Sequence, residues 1–479
     1  MPGAATAVTT YLFDLQRTGS NRSETRLTPA ALRGGGFGRD MGFSPQLEGQ
    51  VYNQPLYVPG LMVGGAAHDV LFVATEANAV FALDALTGAT LWRTNLGTPT
   101  PRNAQSCGNI MPSIGVTSTP VIDLATRTLY VVSFNSDGGV RFRINALDLT
   151  TGMQRGGYPA DISPPAVGGS SFDVRTTGQR GAIAFREGKV YVPFGGLFGD
   201  CGIYHGWVVA IDAANPMQQS AFATPGRGSG IWAPGGFAMD AQGNAYAATG
   251  NSTPLGGHTA GSLGEFVLKI GTGAAGPSFA MNDNTAFFSP ENAVMLDRAD
   301  LDIGSVSPVL LPPIGGARRL LQGGKDGRVF LLDADNLGGA GNGLFVMSLT
   351  TGGQFGALGA WSNGNEVYGF VPARGTRAMC GGSNGVMALR VTANNYSVAW
   401  CTGSISGANP PVVSSNGNTD AVLWVVGTGI LRAYEVATGM EVYANTEPPS
   451  GTRQWVPPVV ADGRVYVTTS TSVLLYRMR

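Results

Sequence analysis

Charged residues are scarce in this chain of 479 residues, and their signs balance. Asp, Glu, Lys and Arg make up 13% of the sequence, and the formal net charge is −1 at pH 7. This balance provides no attraction for nucleic acid or for an anionic membrane surface. No apolar run approaches the roughly 20 residues that a membrane-spanning helix needs. We therefore expect no nucleic-acid partner and no transmembrane segment.

Two short motifs are also absent. Residues 1–4, Met-Pro-Gly-Ala, have neither the basic start nor the apolar stretch of a signal peptide. The protein is therefore either cytosolic or exported with a leader that is absent from this sequence. A Cys-x-x-Cys-His motif, which attaches haem covalently, occurs nowhere in the chain.

Glycine, by contrast, is abundant, with 72 residues spread through turns rather than gathered in a linker. The turns are clearest in residues 71–97, LFVATEANAVFALDALTGATLWRTNLG. Three runs rich in β-branched and aromatic residues are separated there by short polar turns, which is the pattern of antiparallel strands. With residues 55–58 ahead of it, this stretch predicts a four-stranded antiparallel unit.

The end of the third strand, two apolar residues followed by Asp84, recurs along the chain. The same pattern ends at Asp148, Asp212 and Asp333, and weaker copies with another last residue end at positions 269, 390, 435 and 477. The intervals are 64, 64, 57, 64, 57, 45 and 42 residues. These eight copies predict an all-β fold, an eight-bladed β-propeller of four-stranded antiparallel blades. Seven blades with an irregular pair of strands is the alternative.

The two ends of the chain indicate how the ring closes. The last unit stops after its third strand at Arg479, and residues 41–48 supply an additional strand before the first full unit. Pairing these strands would close the ring and remove its open sheet edges. We therefore expect a single propeller domain over residues 41–479, preceded by an N-terminal strap over residues 1–40 that packs across one face.

Four cysteines bear on the cellular compartment. Cys380 and Cys401 fall near the second and fourth strands of one predicted blade, where a bridge is feasible, and Cys107 and Cys201 lie in long loops. The even number favours two disulfides and a secreted or periplasmic protein, with free buried thiols as the alternative.

Irregular loops are concentrated in blades 2 to 5. Residues 195–207 interrupt a hairpin of blade 3, residues 250–254 follow a strand of blade 4, and residues 297–304 precede blade 5. Long loops within a compact repeat more often carry function than not. We therefore expect any functional site in these blades.

The repeat itself resembles a known family. Residues 82–92 have the pattern Ala-x-Asp-x-x-Thr-Gly-x-x-x-Trp, which is similar to the repeat of the pyrroloquinoline quinone (PQQ) type propellers. That superfamily includes the quinoprotein alcohol dehydrogenases and also cofactor-free scaffolds such as the outer-membrane assembly propeller. The resemblance extends from about residue 50 to residue 479 and implies the propeller fold more specifically than any activity.

Three residues resemble the quinone site of the dehydrogenases. Trp232 is similar to the tryptophan on which the quinone stacks, and Lys325 is similar to the Lys or Arg that contacts the quinone carbonyls. Asp302 resembles the catalytic base, although Leu301 stands where the family has tryptophan. A planar tricarboxylate needs such an aromatic surface and cationic partners. The resemblance therefore implies that Trp232 and Lys325 bind PQQ and that Asp302 takes the proton of the substrate.

The resemblance also implies a calcium ion. The Gly-Asn turn at Asn251, followed by Pro254, is similar to a family turn whose Asn binds calcium. The blade 3 loop resembles one that carries a calcium-binding Glu and a PQQ-binding Arg, and after a one-residue shift Asp200 and His205 stand in those places. Calcium prefers such oxygen ligands. The implied metal ligands are Asn251, Asp200 and Asp302, and the implied PQQ contact is His205.

Each of these residues also has a purely structural interpretation. A Gly-Asn turn at Asn251 suits a hairpin without any metal, and Trp232 could pack between blades. Lys325 could be a turn residue between glycines, and Asp302 a solvated loop carboxylate. The family's lid of two adjacent cysteines is missing, because Gly108 follows Cys107.

We therefore consider three functions. The first is a quinoprotein-like oxidoreductase with a PQQ and calcium pocket at the propeller centre, which oxidises an alcohol or aldehyde and passes electrons to an external acceptor. The second is a non-catalytic scaffold that binds a protein, peptide or glycan, and the third is an enzyme of other chemistry that reuses the pocket without PQQ. The expected partner is a small-molecule substrate or a protein, and we expect a monomer.

Overall fold

The computed structural model describes residues 6–253, 257–259, 261–445, 447 and 449–479. It is a ring of eight blades around a central axis, and each blade is a four-stranded antiparallel sheet. The prediction of an eight-bladed, all-β propeller is therefore confirmed. The predicted turn residue Pro254 lies outside the described residues.

The strands of each blade are given from the innermost to the outermost. Blade 1 contains Leu56–Val63, Ala66–Ala74, Ala79–Asp84 and Thr90–Asn95. Blade 2 contains Val121–Asp123, Thr128–Asn135, Arg141–Asp148 and Ala160–Asp161. Blade 3 contains Ala184–Arg186, Lys189–Gly196, Trp207–Asp212 and Gln219–Ala223. Blade 4 contains Phe237–Met239, Asn244–Ala248, Val267–Gly273 and Phe287–Pro290.

The second half of the ring has the same organisation. Blade 5 contains Val309–Leu310, Arg319–Gly323, Arg328–Asp333 and Phe345–Ser348. Blade 6 contains Gly359–Ser362, Val367–Thr376, Ser383–Val391 and Tyr396–Cys401. Blade 7 contains Val412–Asn416, Thr419–Gly427, Ile430–Glu435 and Glu441–Ala444. Blade 8 contains Val459–Ala461, Arg464–Thr468 and Val473–Met478, with Phe37–Arg39 as its fourth strand.

The remaining elements are short. Two α-helices span Pro29–Arg33 and Ala293–Ala299, and two 3₁₀ helices span Arg102–Ala104 and Ile303–Ser305. Short strands outside the regular four are Ser20–Asn21, Thr100–Pro101, Ser113–Ile114, Thr177–Gly178, Gly276–Ser278, Val306–Ser307, Gly339–Gly341 and Gly356–Ala357. Among the described residues, no helix has the length and apolar character needed to cross a bilayer.

The recurring aspartate has a physical role in the turn after the third strand. Oδ1 of Asp84 accepts hydrogen bonds from the backbone N–H groups of Leu86 and Thr87. Asp148 and Asp212 make the same turn in blades 2 and 3. An aspartate here replaces the hydrogen bonds that the turn backbone cannot make with itself. All eight repeat positions found in the sequence fall in third strands.

An N-terminal strand closes the ring as expected, but it is not the one predicted. Residues 41–48 contain no strand. Phe37–Arg39 instead pairs antiparallel with Val473–Met478, with Phe37 opposite Met478. The ring of Phe37 lies 4.8 Å from that of Tyr443 and 5.4 Å from that of Trp424. Burial of this aromatic side chain selects the earlier segment, whereas Pro45 lacks the N–H group that a strand needs.

Residues 8–21, which we call the inner segment, lie against the innermost strands. In six blades, residues of the inner segment form hydrogen bonds with the backbone of the second residue of the innermost strand: Tyr57, Ile122, Leu310, Ala360, Val413 and Val460. Blade 4 is bound through Met239 and Phe237. Within the N-terminal region, the inner segment therefore lies against the innermost strands, whereas Phe37–Arg39 is the outermost strand of blade 8.

Both disulfides form. Cys380 bonds to Cys401 within blade 6, and Cys107 bonds to Cys201 across 94 residues of sequence. The second bond joins the loop after blade 1 to the irregular hairpin of blade 3.

Candidate functional site

A cavity of about 660 Å³ lies where the loops of blades 1 to 5 and blade 8 converge. Five of the six predicted site residues line it: Asp200, Trp232, Asn251, Asp302 and Lys325. They come from five separate stretches of the chain, in blades 3, 4 and 5. The fold therefore brings together residues that only family resemblance had connected.

Asp302 is at the centre of the most tightly bonded group. Its side chain is 1% exposed, its Oδ1 lies 2.5 Å from Lys325 Nζ, and its Oδ2 accepts a hydrogen bond of 3.0 Å from Trp232 Nε1. Lys325 Nζ also lies 2.7 Å from Asp300 Oδ1 and 5.7 Å from the centre of the Trp232 ring. The group is therefore a buried carboxylate held by an ammonium ion and an indole N–H.

Local structure explains these positions. Asp302 immediately precedes the 3₁₀ helix Ile303–Ser305, and its backbone oxygen accepts a hydrogen bond from Lys325 N. Lys325 lies in the turn between the second and third strands of blade 5. A Cβ atom at Gly250 would lie 2.8 Å from both Asp302 Oδ2 and Trp232 Nε1. Glycine at this position therefore lets the backbone approach the hydrogen bond between Trp232 and Asp302.

The charges in this group influence one another. Burial raises the pKa of Asp302, and the ammonium group of Lys325 opposes that rise. Burial also works against the charge of Lys325, but the carboxylates of Asp302 and Asp300 outweigh it and raise the lysine pKa. Asp302 therefore keeps a strong affinity for a proton while Lys325 stays charged.

A second buried carboxyl group, Glu265, lies behind Asp302 and was missed in the sequence. Its Oε2 accepts a hydrogen bond from Ile303 N, and its Oε1 is buried without a hydrogen-bond partner among the described residues. Burial raises its pKa well above the usual range, and the charge of Asp302 adds to this. Its only signal in the sequence is an acidic residue two positions before a third strand.

The predicted calcium ligands share the cavity. Asn251 is 5% exposed, and Asp200 Oδ1 accepts a hydrogen bond of 2.6 Å from the hydroxyl of Tyr204. Over the described part of the chain, no three acidic, histidine or cysteine side chains converge as a metal site. The protein thus offers separate oxygen donors rather than a complete cage.

His205 lies elsewhere. Its Nδ1 is 2.9 Å from the backbone oxygens of Thr224 and Gly226, and its ring packs edge-on against Trp207. It is not among the cavity-lining residues, whereas its neighbour Tyr204 is. The structure therefore separates His205 from the other five predicted residues.

The cavity is also lined by two arginines that the sequence did not indicate. The guanidinium group of Arg180 lies 5.8 Å from the centre of the Trp455 ring, and that of Arg453 lies 3.9 Å from the centre of the Tyr52 ring. Arg180 Nη2 and Trp455 Nε1 are buried and have no hydrogen-bond partner in the part of the chain that the structure describes. Two donors therefore remain for an acceptor inside the cavity.

A buried glutamate is close to these arginines. Glu76, in the turn between the second and third strands of blade 1, accepts a hydrogen bond from Gly115 N. Burial raises its pKa from 4.5 to about 7, against the lowering effect of the Gly115 hydrogen bond and then of Arg180 and Arg453. The sequence indicated only a polar turn at this position.

This raised pKa predicts a pH-dependent effect of Glu76→Gln. The folded protein holds the Glu76 proton more tightly than the unfolded chain, so the stabilisation is complete below pH 4.5 and is lost as the pH rises through about 7. Glutamine does not titrate. The quantity of interest is the free energy of unfolding of Glu76→Gln minus that of the wild type. We therefore expect this difference to be about 2 to 3 kcal/mol larger at pH 8 than at pH 4.5. Urea denaturation at both pH values measures this difference, and the exposed Glu291→Gln is the control. An equal effect of Glu76→Gln at the two pH values would contradict the assignment.

Three comparisons show which known proteins this chain is similar to. A family model described as outer membrane protein assembly factor BamB matches residues 16–252. Polyvinylalcohol dehydrogenase from a Pseudomonas species is 24% identical over 450 residues, which cover 83% of this chain. The chain spans 65% of that relative's length.

Two solved structures share the fold over 99% of this chain. Quinohemoprotein alcohol dehydrogenase from Comamonas testosteroni has a TM-score of 0.67 at 16% identity, with 80% of its own chain covered. A europium-containing methanol dehydrogenase has a TM-score of 0.63 at 14% identity, with 98% of its chain covered. With the repeat and the eight blades, these matches support the resemblance to the PQQ-type β-propellers, and the two solved structures share the fold.

Proposed function

We propose that this protein is a PQQ-dependent oxidoreductase that oxidises an alcohol or aldehyde at the cavity, with Asp302 as the catalytic base. The observation that carries the proposal is the buried Asp302 carboxylate on the wall of a cavity large enough for a cofactor and a substrate. This carboxylate forms an ion pair with Lys325 and accepts a hydrogen bond from Trp232. The relatives named as dehydrogenases of alcohols support the same reaction class.

The cavity residues fit PQQ. This cofactor is planar and carries three carboxylates, so it needs aromatic surface and hydrogen-bond donors. Arg180 Nη2 and Trp455 Nε1 are buried donors without a partner among the described residues, and carboxylate oxygens would satisfy them. The indole of Trp232 supplies aromatic surface on the side of the cavity where Asp302 lies. When bound, PQQ supplies the two-electron oxidant that no side chain here provides.

The residues also fit a calcium ion that the cofactor helps to bind. Asn251, Asp200 and Asp302 provide oxygen donors around one cavity, and calcium binds such oxygens. Because these three side chains are too few for the six to eight ligands that calcium takes, oxygens of the cofactor or water would complete the set. Calcium binding is therefore proposed to depend on PQQ.

The side chains have distinct roles in the proposed reaction. Asp302 accepts the hydroxyl proton of the substrate, because burial gives its carboxylate a high proton affinity. Lys325 keeps that carboxylate ionised before the transfer and holds it in place at 2.5 Å. Trp232 fixes the second carboxylate oxygen by its indole N–H, so the base is oriented by two different groups.

The same proposal covers compartment and assembly. The two disulfides suit an oxidising compartment, so we propose a secreted or periplasmic protein. Electrons are proposed to leave to a separate acceptor. We propose a monomer.

The direct test is reconstitution. Purified protein is treated with EDTA and titrated with PQQ in the presence and absence of calcium, with tryptophan fluorescence as the binding signal. Dye-coupled oxidation of alcohols is then measured on the same samples. We expect binding at micromolar PQQ or below, tightened by calcium, and turnover only with both. No binding at micromolar PQQ would refute the proposal.

Arg180→Gln tests the cofactor position separately from catalysis. Loss of a buried cationic donor to a carboxylate removes about 1.5 to 3 kcal/mol, so we expect PQQ affinity to fall about 10- to 100-fold. Arg175→Gln, an exposed arginine nearby in the sequence, is the matched control. Fluorescence titration gives both affinities, and equal values for the two variants would place PQQ elsewhere.

A further inference from the structure

The cavity has a second part with a different chemical character. Six apolar side chains line it between blades 2 and 3, and we call this part the apolar arm: Ile110, Ile114, Val132, Phe142, Leu197 and Phe198. A tricarboxylate finds no hydrogen-bond donor on these side chains, so the arm suits hydrocarbon rather than the cofactor. The charged part and the apolar arm belong to one continuous cavity.

The inner wall of the apolar arm is part of the protein core. Val132 and Phe142 are each 2% exposed and pack in one hydrophobic cluster with Ile114. The ring of Phe142 stacks on that of Phe134 at 4.2 Å. Both aromatic residues lie on strands of blade 2. The wall is therefore set by the propeller framework and is present before any ligand binds.

The outer end of the apolar arm is formed by the irregular loop of blade 3. Leu197 lies close to Gly178, where an added Cβ would be 3.2 Å from Leu197 Cδ2. Phe198 lines the cavity although 73% of its side chain is exposed. The disulfide between Cys107 and Cys201 fixes this loop. An exposed phenyl ring at a cavity mouth presents apolar surface to an entering ligand.

We propose that the apolar arm binds the hydrocarbon part of the substrate, so that the protein selects alcohols with an extended alkyl chain. This inference rests on the proposed function for the reacting hydroxyl group. An alcohol whose hydroxyl reaches Asp302 extends its chain into the arm, where each methylene group leaves water. Phe198 is the specificity-determining residue at the outer end and contacts the distal part of the chain.

The first test is the dependence of kcat/KM on chain length. Linear primary alcohols from ethanol to 1-octanol are assayed with the PQQ- and calcium-loaded protein. Burial of each methylene group should raise kcat/KM about three- to four-fold while the chain lengthens into the arm. Phe198→Ser should reduce the ratio of 1-octanol to ethanol by about ten-fold or more. Ile203→Ser is the matched control, because Ile203 is on the same loop and 65% exposed but does not line the cavity.

The second test needs no cofactor. The neutral apolar dye N-phenyl-1-naphthylamine is bound to the PQQ-free protein and displaced with 1-octanol or ethanol, and circular dichroism verifies the fold of both variants. We expect displacement by 1-octanol alone, with an affinity lowered by Phe198→Ser and unchanged by Ile203→Ser.

The two tests separate this inference from the proposed function. Alcohol oxidation whose kcat/KM does not depend on chain length would overturn the inference about the apolar arm and leave the proposed function intact. The same holds if Phe198→Ser and Ile203→Ser have equal effects on kcat/KM and on 1-octanol affinity. Selective loss of 1-octanol binding in Phe198→Ser, without any alcohol oxidation by the wild type, would support the apolar arm and refute the proposed function.

Discussion

Replacement of Asp302 by asparagine should reduce kcat for alcohol oxidation about 10²- to 10⁴-fold, the range typical for loss of a general base. Asparagine is nearly isosteric and can still accept the hydrogen bond from Trp232 Nε1, so the cavity keeps its shape. It cannot accept the substrate proton. Its neutral amide oxygen is a weaker calcium ligand than the carboxylate, so the variant is compared with the wild type at saturating calcium. We then expect PQQ affinity to stay within a few-fold of the wild-type value while turnover is lost.

The design of this experiment depends on separating chemistry from folding. Asp302 also neutralises Lys325, so urea denaturation of Asp302→Asn must accompany the assay. Asp335→Asn is the control, because this carboxylate forms an ion pair with Arg318 in blade 5 and its side chain is 60% exposed. A folded Asp302→Asn protein that binds PQQ and keeps kcat within ten-fold of the wild type would rule out Asp302 as the base.

The regular part of the fold was predictable because the blades repeat one local structure, the turn that follows the third strand. The aspartate that ends a third strand makes hydrogen bonds within its own turn, as at Asp84 and Asp148. Such a contact spans a few residues, so its sequence pattern survives in each copy. The position of the closing strand was predicted wrongly because it depends on packing of Phe37 against Trp424 and Tyr443, about 400 residues away in the chain.

In the candidate site, the sequence indicated only those residues that lie in a short motif similar to one of the family. Four residues belong to such motifs and line the cavity: Trp232, Asn251, Asp302 and Lys325. Neither Arg180 nor Trp455 lies in a motif of this kind. Their approach to 5.8 Å arises from ring closure, which places blade 8 beside the loops of the early blades.

The inner segment shows how a region without a regular pattern can hold the ring together. It hydrogen-bonds to the innermost strands of seven blades, and Tyr11 donates its hydroxyl hydrogen to the backbone oxygen of Trp455. Trp455 lines the cavity. Because an innermost strand has one free edge toward the axis, the inner segment satisfies polar groups that would otherwise remain unpaired. Ring stability and cavity shape therefore depend on the same residues.

Arg17 is the residue of the inner segment whose loss should cost the most stability. Its side chain is fully buried and donates to the backbone oxygens of Phe237 and Tyr11 and to the hydroxyl of Thr10. Burial lowers the pKa of Arg17 to about 10, so the charge itself is costly and methionine relieves that cost. Methionine nevertheless leaves three buried acceptors without this donor. We expect Arg17→Met to lower the free energy of unfolding by about 2 to 4 kcal/mol.

Arg22→Met provides the control for this prediction, since Arg22 is exposed and follows the inner segment directly. Its guanidinium group donates to Ser362 O and Asn418 Oδ1, but the side chain is exposed, so this substitution should change the free energy of unfolding by less than about 1 kcal/mol. Urea denaturation followed by tryptophan fluorescence compares both variants with the wild type. Because Tyr11 accepts from Arg17 and donates to Trp455, Arg17→Met should also weaken PQQ binding, whereas Arg22→Met should not. Equal stability of the two variants would mean that the inner segment occupies the ring without supporting it.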